Sequence, residues 1–156
     1  MKLEGIWFAI KEAAFPAVIG LFVLGSAFTR KPLFAFFLNQ PAIFQIDLIQ
    51  QRLEENRNVS LYQQLIKKCT IYFSVTFVLS AIMNFVLAIR IFTDIPTDLS
   101  EEQKAEVLNS QIADMTWMGY VVIALPLMVI TASLFFFCLR RMSKLTELPL
   151  QDLMKS

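Results

Sequence analysis

The chain has no histidine and only two cysteines, Cys69 and Cys138. Without imidazole it cannot by itself build a histidine general base, a His-ligated haem or a Cys/His zinc site. Charge is also sparse. Charged residues make up 17% of the sequence, against about 25% in soluble domains. The net charge of +1 offers no electrostatic footprint for nucleic acid. No linker, internal repeat or low-complexity tract divides the chain, so one membrane domain over residues 1–156 is expected. No phosphate-binding loop, nucleophile–base pair or metal-ligand spacing occurs, and Glu101–Glu102 reads as a solvated helix start rather than a catalytic dyad. The expectation is no enzyme, with no catalytic, cofactor-binding or metal-binding residues and no cofactor.

What is abundant is apolar surface. Hydrophobic residues reach 56%, fifteen of them Phe, and the charges gather at the edges of long apolar runs. That pattern describes an integral membrane protein. A transmembrane helix needs about 20 mainly apolar residues, and three segments qualify, roughly 5–29, 69–93 and 116–139. A fourth apolar piece, "PLFAFFLNQPAIFQIDLI", is interrupted by Asn39, Gln40, Pro41 and Asp47 and reads as helical pieces at the interface. The fold class expected is therefore all-α: a membrane helical bundle of three transmembrane helices with interfacial and outer-loop helices. The opening "MKLEGIWFAIKEAAF" reads poorly as a signal peptide, because Lys11 and Glu12 break its apolar stretch and no small-residue cleavage site follows.

Lys and Arg distribution sets the expected orientation. The loop 30–68 contains Arg30, Lys31, Arg52, Arg57, Lys67 and Lys68, and the tail 140–156 opens with Arg140, Arg141 and Lys144. The loop 94–115 carries Lys104 against six acidic residues. The first loop and the tail are thus expected in the cytoplasm, with the N-terminus outside and Trp7 and Trp117 at the outer interface. "SEEQ" at 100–103 has the form of a capping box, so a helix is expected to start there, and it could run into the third span with little interruption. In the tail, Leu145, Leu148, Leu150, Leu153 and Met154 suggest an interfacial anchor, whereas Pro149 argues against a continuous helix.

Polar groups inside apolar spans are costly and usually face protein or water. The candidates are Lys11, Glu12, Asn84 and Arg90, together with helix breaks at Pro16 and Pro126. A helical proline leaves the carbonyl four residues earlier without its usual donor. Asn84 is expected at the depth of both prolines, where its amide could donate to such a carbonyl on a neighbouring helix. Lys11 and Arg90 could snorkel to the surface, or Arg90 could pair with Glu12 across helices. Gly20 and Gly25–Ser26 suit close helix approach. Cys69 and Cys138 fall near the same ends of their spans, and there they are expected to be small apolar packers, because a cytoplasmic setting disfavours a disulfide.

Three blocks resemble a known family. "GLFVLGSAFTRKPLF" (residues 20–34), "LSAIMNFVLAIR" (79–90) and "MTWMGYVVIALPLMVI" (115–130) are similar to segments of the intracellular septation protein A family, YciB-type inner-membrane proteins, and its uncharacterised relatives. Asn84, Thr116 and Trp117 fall on residues of the family pattern. The chain resembles the C-terminal three of the family's five spans. It departs from the pattern at Val121, where the family has Lys, and in longer loops at 39–68 and 94–115. The resemblance implies a bacterial inner-membrane protein of envelope maintenance or cell division that acts through protein contacts. The expected partners are membrane lipid and either further copies of itself or another inner-membrane protein. The alternative is a small-molecule transporter, or a transporter subunit, acting as an oligomer.

Overall fold

A computed structural model describes residues 3–155. Helices follow in the order α1 (Leu3–Ser26), α2 (Leu33–Leu38), α3 (Ile46–Glu55), α4 (Val59–Ile91), α5 (Glu101–Met118), a π-helical stretch (Gly119–Ala124), α6 (Leu125–Thr146) and α7 (Leu150–Leu153). Among the described residues there is no strand, only an isolated antiparallel bridge between Phe44 and Met154. The protein is an all-α membrane bundle. Three helical segments are long and apolar enough to cross a bilayer: Ile6–Ser26, Val59–Ile91 and Glu101–Thr146. At about 1.5 Å per residue, the 33 residues of α4 extend about 50 Å, well beyond a hydrocarbon core of about 30 Å. The apolar windows of the three segments are only 17%, 22% and 11% buried, so most of their surface is left to lipid or a partner.

Contacts divide the chain into two compact units, and the three long helices pass through both. One comprises residues 1–20 and 76–129, the other 21–75 and 130–156. In the first, Ala9, Leu87, Ala88, Phe92, Met115 and Ile123 form the buried cluster. Ala9 and Ala88 are fully buried, and such small side chains let helix backbones approach. Phe8 stacks on Phe92 with centroids 4.5 Å apart. Helix α5 starts on the expected capping box: Ser100 Oγ accepts from the Gln103 amide and the Gln103 side chain accepts from the Ser100 amide. Gln111 Nε2 donates to the Thr93 carbonyl and hydroxyl at 3.2 and 3.1 Å, tying α5 to the end of α4.

The π-helical stretch has a local cause. Pro126 lacks an N–H and its ring would collide with the Val122 carbonyl in an unbroken α-helix. The wider turn absorbs that conflict, with the Leu125 amide donating back to Tyr120. Helix runs without a gap from Glu101 to Thr146.

The second unit is built on Phe34, Leu38, Phe44, Ile49, Leu53, Leu65, Ile66, Cys69, Cys138, Met142, Leu148 and Leu153. Phe34 meets the rings of Phe37, Phe73 and Phe135 at 5.8–6.1 Å. Helix α2 would leave its first amides without partners, and side-chain and loop oxygens supply them. Leu33 N–H donates to Ser26 Oγ at 3.1 Å, Phe34 N–H to Thr70 Oγ1 at 3.3 Å, and Ala35 N–H to the Pro32 carbonyl at 2.9 Å. Helix α3 ends in a Schellman turn: Asn58 N–H reaches the Leu53 carbonyl and Arg57 N–H the Glu54 carbonyl. Arg57 takes the left-handed conformation there, φ 57°, a position that favours glycine.

The tail is not a free anchor. Leu148 and Leu153 are buried, Gln45 N–H donates to the Leu153 carbonyl, and Lys155 N–H donates to that of Ile43. Pro149 follows the end of α6, as the sequence suggests, and the chain folds back onto the core.

Candidate functional site

Lys11, Glu12, Asn84 and Arg90 all belong to the first unit. Helix α4 carries Asn84 about two turns before its end, and the half-buried amide donates to the Ser80 carbonyl at 2.8 Å and to Ser80 Oγ at 3.3 Å. This corrects the expectation of a bridge to a proline-freed carbonyl: Asn84 satisfies itself on the preceding turn of its own helix. A carbonyl acceptor four residues back on the same helix is within reach of such a side chain, whereas a cross-helix acceptor must meet depth and rotation together.

Glu12 and Arg90 make no ion pair with each other among the described residues. Glu12 is half-buried on α1, while Lys11 and Arg90 are exposed, the disposition of side chains that reach along the helix toward an aqueous surface. Pro16 lies inside α1 without ending it. Trp7 and Trp117 are 66% and 68% exposed. Each lies two residues from a member of the same buried cluster, Ala9 and Met115, and amphipathic rings so placed suit a headgroup layer. Thr116 donates to the Ile112 carbonyl at 2.9 Å, again within its own helix. Gly25 does not mediate close approach, since a Cβ there would meet nothing within 4 Å.

The cysteines require a second correction. Cys69 and Cys138 are joined in a disulfide between α4 and α6, and both are fully buried in the core of the second unit. The sequence brought them to matching span ends, but the covalent bond depends on Cβ vectors that composition and depth do not fix. Next to them, Thr70 donates to the Ile66 carbonyl and also receives the Phe34 amide, a polar junction hidden inside an apolar run. Asn58 Nδ2 donates to the Leu145 carbonyl at 2.8 Å, capping one of the last carbonyls of α6 from the start of α4. An Asn just ahead of an apolar helix is the one signal that could have marked this contact.

No group of three or more His, Cys, Asp or Glu side chains gathers among the described residues. Glu12, Asn84 and Arg90 do not converge on a shared bond network. No protein-family model matches the chain, and no curated protein or solved structure does.

Proposed function

We propose that this chain is a non-enzymatic structural or interaction protein of a bacterial inner membrane, acting through contacts made by its spans with further copies of itself or with another inner-membrane protein. The observation that carries this reading is the exposure of the spans: at most 22% of any apolar window is buried within the chain. Large side chains such as Phe15, Phe22, Ile82 and Met128 stand 56–74% exposed. Exposed apolar side chains in this number belong against lipid or a partner helix. Asn84 and Thr116 are satisfied within their own helices and Lys11 and Arg90 are exposed, which suits packing more than chemistry. The sequence resemblance to the septation protein A family favours a role in envelope maintenance or cell division. The Lys/Arg bias favours an outside N-terminus and a cytoplasmic C-terminus.

Photocrosslinking in native membranes tests this, with probes at Asn84, Met118 and Val107. The expected product is a discrete protein adduct. Labelling of lipid alone from all three positions overturns the reading.

A second reading, an oligomeric small-molecule transporter, draws on the π-helical stretch ahead of Pro126, since such bulges occur frequently at functional sites. Glu12→Gln separates the two. Loss of transport with assembly intact favours the transporter, and loss of assembly favours the interaction protein.

A further inference from the structure

Where α1 leaves its apolar span and α4 enters its own, the surface of the second unit has an open cavity of about 1200 Å³. Its charged lining is Arg30, Lys31 and Lys67, and no Asp or Glu contributes, although the chain holds 13 acidic residues. None of the three cations is in an ion pair among the described residues. Ser60, Gln63 and Gln64, on the first turns of α4, add hydroxyl and amide groups to the same wall. The lining also carries apolar rings: Phe28 and Phe36 are 69% and 68% exposed. Lys67 Nζ sits 4.8 Å from the Phe28 ring centroid, so one of the cations lies over one of these rings.

We propose that this cavity binds the headgroup of an anionic glycerophospholipid. Depth, charge and shape agree on that occupant. The cations flank the apolar runs that end near residue 29 and begin near residue 69, which is the level of lipid phosphates. A phosphodiester carries one negative charge and acceptor oxygens, matching a lining of cations and amide donors. The volume is far larger than a free phosphate needs and has room for a glycerol or sugar headgroup. The exposed Phe28 and Phe36 rings would lie along the first methylenes of the acyl chains. Basic pockets at helix ends recognise lipid headgroups in this way, and the site works in whichever leaflet this end of the protein occupies.

The test uses the full chain purified in a neutral detergent and titrated with fluorescent phosphatidylglycerol, with phosphatidylcholine and inorganic phosphate as comparison ligands. Saturable binding of phosphatidylglycerol in preference to phosphatidylcholine is expected. Arg30→Gln, Lys31→Gln and Lys67→Gln should each weaken it about five-fold, and Lys67→Arg should restore it. Lys144→Gln removes a cation of the same unit that does not line the cavity, and it should leave binding unchanged. Ser60→Trp adds bulk to the cavity wall while keeping every charge and should weaken binding, which covers the case in which a charge variant fails to fold. Equal binding of phosphatidylcholine, equal loss in Lys144→Gln, or full binding in Ser60→Trp overturns the proposal. Displacement of the lipid by inorganic phosphate at comparable concentration reassigns the cavity to a free anion and also overturns it.

Discussion

At the residue scale, the disulfide is the strongest single constraint in the second unit. Closing a loop between residues separated by 69 positions stabilises by at most about 4 kcal/mol in the chain-entropy account, and less here, because spans that stay helical in the bilayer have little freedom to lose. Replacing both cysteines by serine is expected to lower the thermal unfolding midpoint in detergent by several degrees, measured against the unreduced parent. Maleimide labelling of the unreduced, unfolded parent should find no free thiol; two labelled thiols would remove the bond from the account. Asn84 is a contrasting case. Since its amide returns to Ser80, Asn84→Leu is expected to change stability by less than about 1 kcal/mol. A much larger loss would mean that its side chain bridges helices in the membrane. The place of Asn84 inside a long apolar helix was legible in the sequence. Its rotational phase was not, because α4 is apolar on nearly every side and an apolar helix carries no stripe to tell the inner face from the outer.

At the element scale, the punctuation of helices was more legible than their packing. Ser100 and Gln103 announced the start of α5, and the hydrogen bonds form as the spacing requires. Ser100→Ala is therefore expected to fray the first turn at a cost of about 1 kcal/mol. Amide hydrogen exchange over residues 101–104 should accelerate while that of α6 stays unchanged. Unaltered exchange in the first turn would show that tertiary contacts, not the cap, hold this end. The π-helical stretch could not be located from Pro126 alone. A helical proline can kink a helix, break it or widen one turn, and the outcome depends on what the neighbouring helices tolerate. Helix α4 starts ten residues before the expected span boundary, at Val59. Apolar content marks where a helix enters lipid, whereas polar turns such as those bearing Gln63 and Gln64 extend it into water without a hydropathy signal.

At the scale of the whole molecule, two features of the second unit point in opposite directions. Its loop and tail hold Arg30, Lys31, Arg52, Arg57, Lys67, Lys68, Arg140, Arg141 and Lys144, a bias that favours the cytoplasm. The same unit holds a disulfide, and disulfides are rare in reducing compartments. Burial reconciles them. Both cysteines are fully buried, in the same apolar cluster as Met142 and the folded-back Leu148 and Leu153, so an attacking thiolate reaches either sulfur only when the core opens. The proposed orientation then makes two linked predictions. A fluorescent protein fused after Ser156 should mature and glow, while alkaline phosphatase fused there should stay inactive. In membranes, dithiothreitol should leave the bond intact, and removal of residues 148–156 should make it reducible. Active phosphatase at the C-terminus would reverse the orientation and place the disulfide on the oxidising side, where it needs no shielding. Rapid reduction in the intact chain, with a cytoplasmic C-terminus, would instead show that the tail does not seal the core.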